Sequence, residues 1–300
     1  MAFKNLPTPR LARPIPLIDP YRHREAFTRL LSILYHAEAA AMEGFQLLTD
    51  PAYVQGYEIF DKVAPKLVED ERRHLGDIED LVARLTDKGV PPPTPVEAEF
   101  WNGWRSGRIF ALPYPPAIAS LFCLFSEGLG YSFLYHLANN IAEPDFRDVL
   151  WANVEDEKTH LRLSLTVLRR AMGRDKSSLL ANFLVYLLGY GLLARRPLRE
   201  QRATMAAVGL DPEAMFGSML SFVCELLLMV VDSDVDPRVA RYLSRVSQVV
   251  GNHPELGVLF YAGMHLPEPP GLRRLIYRWG QLGHWRNGVD TTNMSGEVVA

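Results

Sequence analysis

Asp70-Glu71-Arg72-Arg73-His74 and Asp156-Glu157-Lys158-Thr159-His160 decide how this chain is read. Both stretches read D-E-x-x-H. The chain holds 35 acidic residues and 8 histidines in 300, so an acidic-acidic-x-x-His match is expected only ~0.1 times by chance. On a helix, residues i and i+3 lie on one face about a turn apart. Glu71 and His74 therefore aim at one point, and so do Glu157 and His160. One such motif is most often a solvated acidic face. Two copies in matching surroundings call for a shared cause.

Proline and glycine divide the surrounding chain into long helical blocks, and almost nothing alternates as a strand would. The first block runs over about residues 21–48 and the second over 54–86, with Pro65 as a kink point. The third covers 117–141 and the fourth 145–172, with Pro144 at the turn before it. Both D-E-x-x-H motifs thus fall in the middle of the second helix of a hairpin. The connection at 88–116, KGVPPPTPVEAEFWNGWRSGRIFALPYPP, is too proline-rich for a helix at either end. Further helices are expected over 179–194, 212–231 and 237–251, and the basic, aromatic stretch 271–288 reads as an eighth. The expectation is an all-α protein: a loose N-terminal arm over 1–20, a helical bundle over 21–175, and a helical extension over 176–300 packed on the bundle.

Four-helix bundles that hold two metal ions draw one more carboxylate from each of the other two helices. Glu127 is the only acid in PAIASLFCLFSEGLGYSFLYHLANN (116–140), and the turn at 141–145 lies midway between it and Glu157. Antiparallel helices put those two at one level. The first helix offers Glu38 or Glu43; with the turn near Pro51, Glu38 is the closer match in height to Glu71. Glu43 stays open as a substitute ligand or a hydrogen-bond partner. Four buried carboxylates without cations would be prohibitive, and carboxylate with imidazole suits iron or manganese.

Asp70 and Asp156 point about 100 degrees away from the adjacent glutamates. Each could accept the remote N–H of the opposite motif's histidine and fix its tautomer, or stand on a solvated face. His136 and Glu225 are polar residues on apolar helices; a satisfied core histidine and a capped glutamate are favoured over extra ligands. Tyr35, Tyr131 and Tyr135 read as core tyrosines beside the ligands and not as redox groups. Arg72 and Arg73 are expected to pair with surface acids.

Glu38, Glu71-x-x-His74, Glu127 and Glu157-x-x-His160 together resemble the ferritin-like di-iron carboxylate superfamily over about residues 25–172. His36-x-Glu38, Ala41-x-Glu43 and the D-E-x-x-H pairs also resemble its branch of tRNA-modifying hydroxylases. The resemblance implies a ferritin-like four-helix bundle with two iron ions, or manganese at one or both positions. It also implies an oxygenase or hydroxylase working with O2. More than 120 residues follow the fourth helix, which favours a substrate chamber over a storage cage. The apolar runs 177–194 and 215–231 point to a largely apolar substrate, such as an acyl, aromatic or prenylated group. No C-x-x-C module is present, so an external donor such as a ferredoxin or flavin reductase is expected. The alternatives are iron or manganese storage, oxidative protection, or a metal-free helical protein.

Composition narrows the rest. Hydrophobic residues make up 48% and charged residues 22%, which excludes a disordered chain. A net charge of -3 excludes a sequence-wide basic field for nucleic acid. Cys123 and Cys224 both sit in apolar runs, against a disulfide scaffold and in keeping with a reducing cytoplasm. The N-terminus shows no apolar core of signal-peptide type. Ser177–Ala194 is uncharged and borderline for a span, and is read as a buried or substrate-lining helix. Met215–Val231 is interrupted by Glu225. Cytoplasmic placement follows, with peripheral membrane association as its variant and a homodimer left open.

Overall fold

The computed structural model of the chain describes residues 5–50, 59–105, 115–172, 196–197, 199–230 and 237–252. In chain order the helices are α1 (Arg24–Leu47), α2 (Ile59–Leu85), α3 (Pro95–Arg105), α4 (Pro115–Asn140), α5 (Pro144–Met172), α6 (199–207), α7 (Pro212–Val230) and α8 (Pro237–Asn252). Among the described residues there is no strand, only an isolated bridge between Ile18 and Ile141. The helices expected at 179–194 and 271–288 lie outside the described residues.

α1 packs against α2, and α4 against α5, as two hairpins. α7 lies mainly along α4, α8 packs on α7, and α3 rests on α1. The core divides into two apolar zones. The larger joins Leu30 and Leu34 of α1 to Ile78 of α2, Leu134 of α4, Leu150 of α5 and Met219 of α7. The smaller, near the other end of α1 and α5, joins Phe45, Leu48, Phe60, Leu67 and Val167. Glu38 falls between Leu34 and Phe45, and Glu71 and His74 fall between Leu67 and Ile78. The polar residues are thus held between two greasy plugs, each fully buried Leu, Ile or Phe contributing roughly 1.5–3 kcal/mol.

Two local features differ from the sequence reading. The N-terminal segment is docked: Ile18 is 1% exposed, its N–H donates to Asn140 O at 2.7 Å, and Ala142 N–H donates to Ile18 O at 2.8 Å. Ile15 and Ile18 supply apolar anchors that outweigh the surrounding prolines. The crossover also forms a helix at its centre. Thr94-Pro95-Val96-Glu97 is a capping box: Glu97 N–H donates to Thr94 Oγ1 at 3.2 Å, and Thr94 N–H to Glu97 Oε2 at 2.9 Å. Pro95 sits where a missing N–H costs nothing. Glu97, 1% exposed, also takes an ion pair from Arg29, which holds α3 on α1.

Among the described residues α7 alone is long and apolar enough to cross a membrane. Most of its apolar stretch is buried against the rest of the chain.

Candidate metal centre

Six side chains from four helices meet at one level of the bundle: Glu38 of α1, Glu71 and His74 of α2, Glu127 of α4, and Glu157 and His160 of α5. They form two overlapping groups. Ligand atoms of Glu38, Glu71, His74 and Glu157 lie within 4.8 Å of one another, and so do those of Glu71, Glu127, Glu157 and His160. Glu71 and Glu157 belong to both. His74 Nδ1 lies 3.5 Å from Glu38, 3.7 Å from Glu71 and 3.6 Å from Glu157. His160 Nδ1 lies 3.3 Å from Glu71, 3.3 Å from Glu157 and 3.7 Å from Glu127. All six residues are buried.

Several of these atoms have no hydrogen-bond partner: both oxygens of Glu71, Oε2 of Glu157, Nδ1 of His74 and both ring nitrogens of His160. An unmet buried polar atom costs roughly 1–3 kcal/mol, and folded proteins keep few of them. Here they converge on one region of carboxylate and imidazole donors. Cations bound between them would use all of these but Nε2 of His160, which faces Asp70, and this donor set fits iron or manganese. The chain therefore carries two buried Glu/His groups able to hold metal.

Protons balance the cluster when no cation does. Burial pushes Glu71 up, and the Glu38 charge adds to it, to about 8. Glu157 is held well above the carboxylate range by burial and by Glu127. Burial also presses on Glu38, but its contacts with Glu71 and His74 carry it down to about 2. Burial opposes charge on His74, yet Glu38 and Glu71 raise it to about 12. His160 is likewise raised against its burial by Glu157, Asp70 and Glu127.

The remote nitrogens of the histidines face the two aspartates crosswise. His74 Nε2 lies 3.4 Å from Asp156 Oδ2, and His160 Nε2 lies 3.6 Å from Asp70 Oδ2. The contact with His160 holds Asp70 below the usual carboxylate range. Arg72 pairs with Glu69 on the surface, as expected, but Arg73 does not follow it. Its guanidinium lies 3.2 Å from Asp70 Oδ1 and forms an ion pair with Asp156. The available signal was its i+3 spacing from Asp70; the reach to Asp156 needed the pairing of α2 with α5.

The remaining candidates fall outside the two groups. Glu43 is half-buried on α1 and Glu225 half-buried on α7, and neither belongs to a group. His136 Nε2 is 2.6 Å from Ser218 Oγ on α7, and burial lowers its pKa to about 4, so it is a neutral core histidine. Tyr35 donates to Glu79 at 2.8 Å. Tyr131 stacks on Phe222 at 5.1 Å, and Tyr135 meets Trp151 edge-on at 5.5 Å.

An apolar cavity of about 170 Å³ ends on Glu38, Glu127 and Glu157. α1 contributes Leu30 and Leu34 to its wall, α3 Phe100 and Trp101, α4 Gly130 and Phe133, and α6 Met205. α7 contributes Phe216, Met219 and Leu220. From the apolar extension, Leu184, Leu188 and Phe222 were the natural lining positions to expect. Phe222 instead faces Tyr131 and is absent from the wall, because 216, 219 and 220 share the other face of α7; Leu184 and Leu188 lie outside the described residues. α7 approaches α4 tightly beside Glu127. A Cβ on Gly128 would come within 3.0 Å of Val223 Cγ2 and 3.1 Å of Leu226 Cδ1.

No family model matches the chain, and no curated protein matches it. Among solved structures it is similar to Protein 19 with aldehyde deformylating oxidase activity from Synechococcus, with a TM-score of 0.52 and 22% identity. That alignment covers 74% of this chain and 96% of the other. At such identity the likeness speaks for the fold. Together with the helical architecture and the carboxylate–histidine cluster, it makes this chain an all-α protein of the ferritin-like fold.

Proposed function

We propose that this chain is a non-haem di-iron oxygenase that oxidises a largely apolar organic molecule. The observation that carries the reading is the apolar cavity ending on Glu38, Glu127 and Glu157. An iron store has no use for a greasy chamber against its metal ligands.

Glu38 and His74 would hold one ion, Glu127 and His160 the other, with Glu71 and Glu157 serving both. Two ferrous ions in such a site supply the reduction of O2 and the oxidising power for the substrate. The chain's own residues do the rest. Leu30, Leu34, Phe100, Phe133 and Met219 hold the apolar body of the substrate and keep water from the reacting end. Asp156 accepts from His74 Nε2, and Asp70 stands 3.6 Å from His160 Nε2 as its nearest carboxylate, which leaves Nδ1 of each histidine as the ligand atom. Electrons come from a separate donor such as a ferredoxin or flavin reductase. Manganese at one or both positions is the variant of this reading.

The aldehyde deformylating oxidase activity of the Synechococcus protein makes aldehydes the first substrates to try. In a single turnover, the reduced, iron-loaded chain is mixed with an apolar aldehyde and O2. The expected result is conversion of the organic molecule in step with the iron centres. Oxidation of the iron with the aldehyde untouched, followed by ferric iron accumulating beyond two per chain when more ferrous iron and O2 are added, would overturn the oxygenase in favour of storage.

A further inference from the structure

One polar chain runs behind both histidines. His160 Nε2 faces Asp70 Oδ2 at 3.6 Å, and Asp70 Oδ1 lies 3.2 Å from Arg73 Nη2. The same Nη2 pairs with Asp156 Oδ2, and that oxygen lies 3.4 Å from His74 Nε2. A single guanidinium nitrogen therefore stands at the middle of a line that links the two metal groups on their far side from the cavity. The two D-E-x-x-H motifs are unequal in this respect. The position of Arg73 in the first motif is taken by Thr159 in the second, which carries no charge. The second motif's one lysine, Lys158, turns to Glu155.

We infer that Arg73 is a positioning residue shared by both metal sites, so that the two sites bind their ions as a coupled pair. The inference rests on the di-metal reading above. The acceptor on the remote nitrogen of a ligand histidine sets the ring's orientation and its strength as a donor. Asp156 takes that place behind His74, and Asp70, at 3.6 Å, stands in the corresponding place behind His160; Arg73 holds both carboxylates there. Without it each aspartate is free to swing toward water. The planar fork of arginine serves two carboxylates at once, and a lysine ammonium serves them less well.

The test is an anaerobic titration of the metal-free full-length chain with Co(II), read by the ligand-field absorption and by bound metal. The wild type should take two ions. Arg73→Met should weaken both binding steps by about 10- to 100-fold and alter both absorption bands. Arg73→Lys should recover part of the loss. Asp70→Asn should weaken chiefly the ion held by His160, and Asp156→Asn the ion held by His74. Arg72→Met, whose arginine pairs only with Glu69, should change neither. In an Asp70→Asn/Asp156→Asn background, Arg73→Met should add nothing. A bracing role between α2 and α5 would still show there, as further weakening and a lower melting temperature of the metal-free chain. Two ions bound by the wild type with Arg73→Met within twofold of it, or with only one step weakened, overturns this inference alone. A wild type that binds no cobalt overturns the di-metal reading as well. Arg73 is 47% exposed, so its replacement leaves the apolar zones intact.

Discussion

Glu71 and Glu157 stand at the electrostatic centre of the site, because each faces both histidines and a second carboxylate. In the metal-free chain they are kept neutral by burial and by the second carboxylate, Glu38 beside Glu71 and Glu127 beside Glu157, against the pull of the histidines. The consequence for stability has a definite sign. Glu71, raised from 4.5 to about 8, contributes stability that is complete below pH 4.5 and is lost as the pH climbs through 8. His74, raised from 6.5 to about 12, adds a loss in the same direction above pH 6.5. Glu38, depressed to about 2, acts only below pH 4.5. The metal-free chain should therefore melt at a lower temperature at pH 9 than at pH 6, followed by circular dichroism. Metal-loaded chain should show a smaller difference, since cations replace the protons. A metal-free melting temperature that rises over this range would refute the proton balance. At the same scale, Glu38→Ala should lose one of two metals while Glu43→Ala keeps both, by metal analysis. Glu38 and Glu43 differ in height against Glu71, and that difference was readable from the hairpin turn. The crosswise approach of Asp70 and Asp156 to the histidines was open to helix geometry too. Arg73 was open to it only in part: its i+3 spacing from Asp70 was readable, but its reach to Asp156 depends on how α2 packs against α5.

Among the elements, α4 bears most on function: it carries Glu127, meets α7 at Gly128 and opens to the cavity at Gly130. A Cβ on Gly130 would meet nothing within 4 Å. Gly130→Leu should therefore fill cavity space, abolish conversion of large apolar substrates and leave metal content at two per chain. Loss of metal in that variant would show the cavity and the centre to be less separable than this account holds. The helices of the two hairpins are legible in the sequence because Pro51 and Pro144 bound them and their polar residues recur at helical spacing. α3 was hidden inside a proline-rich run, although Thr94 and Glu97 spell a capping box. The face of α7 was not legible at all. Outside Glu213, Glu225 and two serines that helix is apolar, so no periodicity separates Phe216, which lines the cavity, from Phe222, which stacks on Tyr131.

Taken as a whole molecule, the chain sets an apolar chamber on one side of its carboxylate cluster and a charged line to the surface on the other. α3, α6 and α7 close the chamber, and Asp70, Arg73 and Asp156 form the charged line. This polarity was beyond the sequence, because it depends on how α3, α6 and α7 pack around the two hairpins. The level of the six clustered side chains along the bundle was within it, since symmetric hairpin arms place Glu127 opposite Glu157. Everything proposed for the chamber and the charged line depends on two metals between them. The most direct measurement is iron stoichiometry after anaerobic reconstitution, with Mössbauer spectra of the ferrous protein. Two iron ions per chain in oxygen and nitrogen ligation are expected, falling below one in a Glu71→Ala/Glu157→Ala variant that still melts cooperatively. No iron in the wild type, or two ions retained by that variant, would contradict it.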